Sequence, residues 1–597
     1  MADLDTKEKV LSGASGAPGI CIGKAYLVDR APSEVVPKYV LEKEDVPGEL
    51  NRFKAAIRGA QDDLTKLVKE APKEVGQHIY ILEVHKAVLK DKMFYERTIE
   101  GIESDRVNAE WALKMTMDRL TSVFRQIQDP YIRERARDIV HVYELVMRNL
   151  TGGTAPEISK IDKRVILVAH DLSPGEASQI QLEWVKGFVT DVGGGTSHTS
   201  IIARTLQIPA VLGLETATSD IRTGDLIIVD GTAGVVIVNP TENTLLEYHE
   251  RKERFETYQA QIARRSHLPA TSLDGLRIQV NANIELLEEV VAVIDKGGDG
   301  IGLYRTEFLY LNRRDIPTEQ ELFENYREVV EVMAPRPVTI RTLDINGDKI
   351  VPGLAGVDVV NPALGLRAIR FCLRRTDIFR AQLRAIFRAS AYGPIRILYP
   401  MISGVEEILT VKQIASQVAE ELDKEGACLQ NEIKMGVMIE VPSAAVIADV
   451  LAEHVSFFSI GTNDLVQYTL AVDRGNEQVA HLFDPLHPAI IRLLKHVCDV
   501  GKQRGVDLVL CGEMAGDPFH APILLGMGIE EFSMNPQFIP AVKTVIRRLD
   551  SAECRRFVAE EVMPMKTAGE IRDVTEASFG TLLAHPEQGD FHGPTAD

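Results

Sequence analysis

Between Gly193 and Arg204 the chain reads Gly-Gly-Gly-Thr-Ser-His-Thr-Ser-Ile-Ile-Ala-Arg, with His198 at its centre. Val185 to Asp191 upstream alternates like a short strand, and Ile201 to Leu206 downstream reads as a helix. The glycines therefore turn the chain, and Thr196 or Ser197 can cap the helix that follows. Free amides in such a turn, together with the positive end of a helix, attract anions. An imidazole placed there is suited to accept a phosphoryl group. Read alone, the stretch is equally a glycine turn carrying a surface histidine, so its meaning depends on whether the rest of the chain supplies a donor.

A second set of reactive side chains falls at the ends of apolar segments in the C-terminal half. These ends are Tyr304-Arg305-Thr306-Glu307, Arg341-Thr342-Leu343-Asp344 with Lys349 close behind, Ile439-Glu440, Gly461-Thr462-Asn463-Asp464 and Leu510-Cys511-Gly512-Glu513. Arg305 and Arg341 offer planar donor forks suited to phosphate, and Arg474 one suited to a carboxylate. Glu440 and Asp464 follow successive strands and are placed to ligate one hard cation such as Mg²⁺. A cation beside an enol oxygen stabilises a developing enolate. Cys511 is then a candidate to protonate the enolate carbon, provided its thiol stays protonated; a nearby arginine or Mg²⁺ would lower its pKa and oppose that role. Singly, each residue has a plainer reading: Arg305 and Glu307 could pair with each other, and Cys511 could be packing. Gathered together, they describe a mouth for a small phosphorylated acid.

The elements that must position these groups follow from apolar patterning. Eight strand cores, Leu276–Asn281, Gly300–Tyr304, Val338–Arg341, Ile395–Tyr399, Lys434–Ile439, Val455–Ile460, Leu508–Leu510 and Glu531–Ser533, alternate with helical stretches such as Gly365–Arg375 and Val405–Lys424. Eight such pairs predict a (β/α)8 TIM barrel, with an open doubly wound sheet as the alternative; in a barrel the working residues sit at the C-terminal strand ends. Upstream, strand texture near Gly16–Val28 stops, and a glycine-poor helical stretch runs from about Glu42 to Leu150 with apolar residues at helical spacing, for example Ile81, Val84 and Val88, then Leu113, Met117, Leu120 and Phe124. Strand texture resumes at Arg164–Ala169. The two β-rich pieces are therefore expected to form one α/β domain into which a bundle of roughly four helices is inserted. Thr241–Ser266 reads as one charged, solvated helix, a linker with hinges near Pro240 and Pro269. Residues 1–12 read as a polar tail, and the chain beyond about Met565 as a partly disordered one.

The 597 residues carry a formal charge of −20, which argues against nonspecific binding to nucleic acid or anionic membrane and requires any functional basic groups to be concentrated locally. The six cysteines show neither metal-ligand nor disulfide-framework spacing, as expected in a reducing cytosol. No apolar run approaches the roughly 20 residues that span a bilayer, and Met1–Asp5 lacks the features of a signal peptide.

The glycine–histidine stretch, Leu303–Tyr310, Arg341–Asp344, Phe457–Tyr468, Ala471–Arg474 and Cys511–Gly516 together resemble the enzyme I family of the bacterial phosphotransferase system, the phosphoenolpyruvate–protein phosphotransferases. The likeness extends over nearly the whole chain. It implies that His198 is the phospho-acceptor, modified on Nε2, and that Arg305, Arg341, Arg474 and Asn463 bind phosphoenolpyruvate, with Asp464 also touching substrate and Lys349 and Arg367 as further phosphate contacts. It implies Glu440 and Asp464 as Mg²⁺ ligands and Cys511 as the proton donor that yields pyruvate. It further implies a phosphohistidine α/β domain over 1–36 and 153–240, an inserted helical domain over 37–152 that docks the phosphocarrier HPr, and a linker helix over 241–268. A phosphoenolpyruvate-binding and dimerisation barrel would follow over 269–575, then a flexible tail over 576–597. The expected protein is a cytoplasmic homodimer that drives sugar uptake without nucleic acid or membrane insertion. Gly195, where the family usually has a basic residue, and Asn346, where it usually has glycine, depart from the pattern. The alternative is a phosphoenolpyruvate synthase or pyruvate phosphate dikinase relative, which would need an ATP-binding domain for which this sequence leaves no room.

Overall fold

The computed structural model describes residues 8–28, 38–70, 86, 89, 92–126, 142–143, 145–151, 158, 161–172, 180–193, 203, 206, 208–311, 315–345, 362–427, 429, 433–473 and 479–583. The chain divides into two compact units, Met1–Glu256 and Thr257–Asp597.

The first unit is built on one eight-stranded sheet. Its strands are β1 (Lys9–Ser12), β2 (Ala14–Ala17), β3 (Ile20–Leu27), β4 (Val165–Ala169), β5 (Val185–Thr190), β6 (Ala210–Leu212), β7 (Leu226–Asp230) and β8 (Val235–Val238), in the order β1-β8-β7-β3-β4-β5-β6-β2. β3 pairs parallel with β4 and antiparallel with β7, so segments on either side of the helical stretch share one ladder, as expected of a domain with an insertion. Residues 1–12 are not all tail: Lys9–Ser12 is a strand paired with Val235–Val238. A four-residue edge strand carries almost no signal of its own and exists because β8 presents unpaired backbone groups to it. The insertion contributes helices Val46–Glu70, Lys92–Ser104 and Ala109–Gln126, which bury Phe53, Phe94, Leu113 and Leu120 against one another. Ile81, Val84 and Val88 lie outside the described residues.

The charged stretch forms the helix Glu242–Arg264, but it is not solvated on all sides. Tyr248 is buried with Ile20, Ile228 and Ile237 of the sheet, and Arg251 donates to the Asp230 carboxylate at 2.9 Å while stacking over the Tyr248 ring. Few apolar residues scattered among many charges leave too weak a periodicity to reveal the docked face.

The second unit is a closed parallel barrel of β10 (Arg277–Ile284), β11 (Ile301–Tyr304), β12 (Val338–Arg341), β13 (Ile395–Tyr399), β14 (Lys434–Ile439), β15 (Phe457–Ile460), β16 (Asp507–Leu510) and β17 (Glu531–Met534), following a short β9 (Ala270–Thr271) that pairs with β10. Pairing of β17 and β11 with β10 closes the circle. This is the TIM barrel expected from spacing, with strand ends within a few residues of those read from the sequence. Strand side chains alternate faces, so one parity fills the barrel. At the bottom, Arg396 pairs with Glu531 and donates to Thr339 at 2.9 Å, Asn281 donates to Glu531 at 2.6 Å, and the guanidinium lies over the Phe457 ring. Above this ion pair comes an apolar layer of Leu303, Leu398, Met438, Phe457 and Val509, capped by Cys511. The same rows, continued upward, present Arg305, Arg341, Glu440 and Cys511 to the mouth.

The expected tail beyond Met565 is a correction too. Ala568–Leu583 is a helix that buries Ile571, Thr575 and Phe579, the last against the Phe557 ring. These three at four-residue spacing form the docked stripe, while the small residues Gly569, Ala577 and Ser578 face outward; residues 584–597 lie outside the described set. Among the described residues no helix is long and apolar enough to cross a membrane.

Gly436 lies on the inward row of β14, where an added Cβ would sit 2.6 Å from the Phe457 ring. Gly436→Ala must displace that ring and should cost about 1–3 kcal/mol. A lower urea midpoint for the barrel unit checks this, and an unchanged midpoint would show that the layer can give way.

Candidate active site

The mouth of the barrel is organised around Arg341, the last residue of β12. Its side chain is 10% exposed, so the buried charge needs partners. Nη2 donates to Glu307 Oε1 at 2.7 Å and Nη1 lies 3.2 Å from Asp344 Oδ2. Nη1 also approaches the Met438 sulfur, while Nε has no protein acceptor among the described residues. Glu307 in turn accepts the Asp344 amide at 3.0 Å. Arg367 grips Asp344 with two parallel bonds, Nε to Oδ1 at 3.0 Å and Nη2 to Oδ2 at 3.1 Å, and extends Nη1 to the Tyr468 hydroxyl and towards Asp464. Asp344 thus lies between two guanidiniums. Burial pushes its carboxyl upward, but Arg341 and Arg367 outweigh that and hold it below the ordinary carboxylate range. For Glu307 burial prevails over Arg341, and its carboxyl is raised.

Arg305 follows β11 and is more accessible, its Nη1 donating to Glu285 Oε1 at 2.6 Å. The plain pairing of Arg305 with Glu307 does not occur, because Glu307 turns to Arg341 and Glu285 comes from the end of neighbouring β10. Glu440 and Asp464 stand at the ends of adjacent β14 and β15, as expected from their order. Glu440 is buried and accepts the Met401 amide at 2.6 Å. Burial raises its carboxyl well above the ordinary range, and the negative charges of Asp464 and Asp344 add to the rise. Two carboxylates that repel each other are a donor set that a divalent cation would relieve. Among the described residues no group of three His, Cys, Asp or Glu side chains forms a self-contained metal cluster, so a cation held here would need oxygens from substrate or water.

Asn463 and Glu513 are locked together: Asn463 Nδ2 donates to Glu513 Oε1 and the Glu513 amide donates to Asn463 Oδ1, each at 3.0 Å. Between them, Gly512 approaches Thr462 so closely that an added Cβ would lie 1.8 Å from Oγ1. Cys511 tops the apolar barrel layer. Its Sγ accepts from Ser459 Oγ at 3.1 Å and faces the Ile460 carbonyl at 3.5 Å. Burial pushes the thiol up to about 11, against the opposing effects of Ser459, Arg341 and Arg305. Desolvation thus outweighs the nearby arginines and favours the protonated thiol at neutral pH.

Seven of the expected site residues, Arg305, Arg341, Arg367, Glu440, Asn463, Asp464 and Cys511, gather at this mouth. His198, Lys349 and Arg474, with Gly195 and Asn346, lie outside the described residues. Sequence reading did not anticipate Glu285, Ser459 or Tyr468 as partners. Ser459 was discoverable in principle, being a polar residue on the inward parity of β15 two positions below the mouth. Tyr468, whose hydroxyl donates to the Ala363 carbonyl at 2.6 Å, had no comparable signal.

Three family descriptions match the chain: "PEP-utilising enzyme, N-terminal" over residues 12–135, "PEP-utilising enzyme, mobile domain" over 161–234 and "PEP-utilising enzyme, PEP-binding domain" over 259–551. A protein named phosphoenolpyruvate-protein phosphotransferase from Bacillus sp. (strain S) is 41% identical over 577 residues, 96% of this chain and 99% of that protein. One of the same name from Bacillus subtilis is 43% identical over 570 residues, 95% of this chain and 99% of its own length. Another from Listeria monocytogenes is 42% identical over 572 residues, with the same coverage.

Two measurements test this geometry. Asp344→Asn removes the charge shared by Arg341 and Arg367 and should cost about 3–5 kcal/mol in chemical denaturation; a loss below about 1 kcal/mol would show that the network does not depend on that charge. With Cys511 pushed up to about 11, its alkylation by iodoacetamide should be slow at pH 8 and still accelerating at pH 10. Ser459→Ala, which removes a donor to the thiolate, should move that profile higher.

Proposed function

We propose how this chain, which belongs to the phosphoenolpyruvate–protein phosphotransferase family, moves its phosphoryl group. Substrate binds at the barrel mouth, with its phosphate between the guanidiniums of Arg305 and Arg341. Arg367 and Lys349 add further positive charge, Asn463 and Asp464 contact the substrate, and Arg474 takes its carboxylate. The orphan Nε of Arg341 supports this reading, since a buried guanidinium atom without an acceptor suits an anion. Glu440 and Asp464 are the residues that would hold Mg²⁺, and their mutual repulsion supports the assignment. When bound, the metal supplies electrostatic stabilisation of the enolate oxygen.

The acceptor is His198. Its Nε2 attacks phosphorus in line, the bond from phosphorus to the enol oxygen breaks, and that electron pair stays on oxygen as the enolate. As the enolate collapses to the ketone, its terminal carbon takes the proton of Cys511, giving pyruvate. The Ser459 hydroxyl stabilises the thiolate left behind, which regains a proton from solvent. The single observation that carries this role is the Cys511 thiol, buried at the top of the barrel's inner row, where desolvation pushes it up to about 11. The phosphoryl group then passes from His198 to a histidine of the carrier HPr, docked on the helical domain, and onward to sugar uptake. Docking on 37–152, the phosphohistidine domain over 1–36 and 153–240 and the barrel over 269–575 complete the division of labour. Meeting a donor and then an acceptor requires His198 to travel, and the linker's boundaries near Pro240 and Pro269 are the candidate hinges.

The working protein is a cytoplasmic homodimer assembled through the barrel. Val446 and Val450, exposed on the barrel's outer helices, support a covered face there. The buried free thiols Cys21, Cys372, Cys498, Cys511 and Cys554 support a reducing compartment.

Incubation with labelled phosphoenolpyruvate and Mg²⁺, with and without HPr, tests the scheme. The expected product is an acid-labile label on His198 that HPr removes. His198→Ala should abolish labelling, and persistent label would refute the assignment. Cys511→Ala should permit labelling but slow pyruvate formation by about a hundredfold or more; unchanged turnover would remove Cys511 from the mechanism.

A further inference from the structure

The barrel has a second basic concavity, at the end opposite its mouth. A cavity of about 250 Å³ is lined by His267, Arg277, Gln279, Gly297, Gly298, Asp299, Arg336 and Pro337. Arg277 and Gln279 lie at the start of β10, on the parity of Asn281. Arg336 and Pro337 lead into β12, and Gly297 to Asp299 lead into β11. The Arg396–Glu531 pair and the apolar layer above it separate this end from the mouth.

Charge here is unbalanced. Asp299 is the single carboxylate in the lining, and it is already committed: it accepts the Val280 amide at 2.9 Å and lies 3.4 Å from the Lys543 ammonium. Lys543 is fully buried and also donates to the Gly297 carbonyl at 2.6 Å. Burial draws Lys543 below its ordinary value, Asp299 opposes, and Arg547 and Arg277 push it further down. Arg547 is likewise lowered, by burial and by Arg265. The guanidiniums of Arg277 and Arg336 make no hydrogen bond or ion pair with any described residue. In a chain of net charge −20, a cluster of cations with one neutralised carboxylate is the reverse of the average surface.

The wall is also built for close approach. Gly297 has φ of 76°, and a Cβ there would lie 2.4 Å from the Ser266 carbonyl oxygen and 3.0 Å from the His267 amide nitrogen. Glycine alone lets the Ser266–His267 backbone press onto the barrel and bring His267 to the rim. Arg547 Nη1 donates to the Leu268 carbonyl at 3.3 Å and fastens the same segment.

We propose that this cleft is a second anion site, separate from the mouth, that binds a small dianion, a phosphate monoester or a dicarboxylate, between Arg277 and Arg336 with His267 at the rim. Its volume of about 250 Å³ admits a compact metabolite. Two unpaired guanidiniums give planar forks that fit either anion type.

Equilibrium dialysis of the full chain against labelled inorganic phosphate, and separately against labelled succinate, counts the equivalents bound. The Arg277→Ala/Arg336→Ala chain should bind one equivalent per chain fewer of at least one of these anions, while labelling of His198 from phosphoenolpyruvate stays at the wild-type rate. Loss confined to phosphate assigns the phosphate class, and loss confined to succinate assigns the dicarboxylate class. The Arg277→Lys/Arg336→Lys chain keeps the charge and should retain the equivalent with an affinity reduced about tenfold or less. Equal stoichiometry in wild type and the alanine chain overturns the proposal, as does loss of the equivalent in the lysine chain with an unchanged melting temperature, or the absence of saturable binding of either anion.

Discussion

A single buried guanidinium sets the terms for the working end of the barrel. Arg341 emerges from β12 into a space shielded from water, where an unpaired charge would cost more than the strand could repay. Glu307 and Asp344 therefore close on it from adjoining loops, Asp344 is shared with Arg367, and Arg367 reaches Tyr468 and Asp464. Each charge is fixed by the next, so the loops after several strands are tied into one lattice. That lattice is what orders the mouth, because each of its guanidiniums is held by a neighbouring carboxylate or hydroxyl.

The same desolvation acts in opposite senses on the groups within it. It lifts the Glu440 carboxyl and the Cys511 thiol, while the two guanidiniums beside Asp344 overcome it. Within one small volume the mouth thus holds a carboxylate kept charged beside arginine and a thiol that burial favours as neutral. What separates them is their surroundings: Cys511 caps an apolar layer, whereas Asp344 lies between two guanidiniums. The barrel interior is graded likewise, with an ion pair at the bottom, apolar side chains in the middle and the charged mouth on top.

The first unit obeys a different constraint. Its sheet joins strands from both sides of a long helical insertion, so its register depends on contacts between residues about 200 positions apart, such as Ile20 with Asp230. The edge strand Lys9–Ser12 and the docked face of Glu242–Arg264 are products of that closure. Neither is stable without the sheet beside it.

The sequence by itself determined the eight-strand repeat, the inserted helical stretch, the order of reactive residues at strand ends and the family they resemble. These are legible because period-two and period-3.6 patterns are local, and because residues one or two positions past a strand inherit its direction. Only the tertiary structure decided who pairs with whom. Glu307 takes Arg341 and leaves Arg305 to Glu285, Ser459 reaches Cys511 from a neighbouring strand, and Ala568–Leu583 packs as a helix although its composition suggested a tail. Whether Cys511 is acid or thiolate was also beyond the sequence, which names the arginines that would lower its pKa but not the burial that outweighs them. Pairing and desolvation both depend on distances across the barrel, and no pattern along the chain encodes those distances.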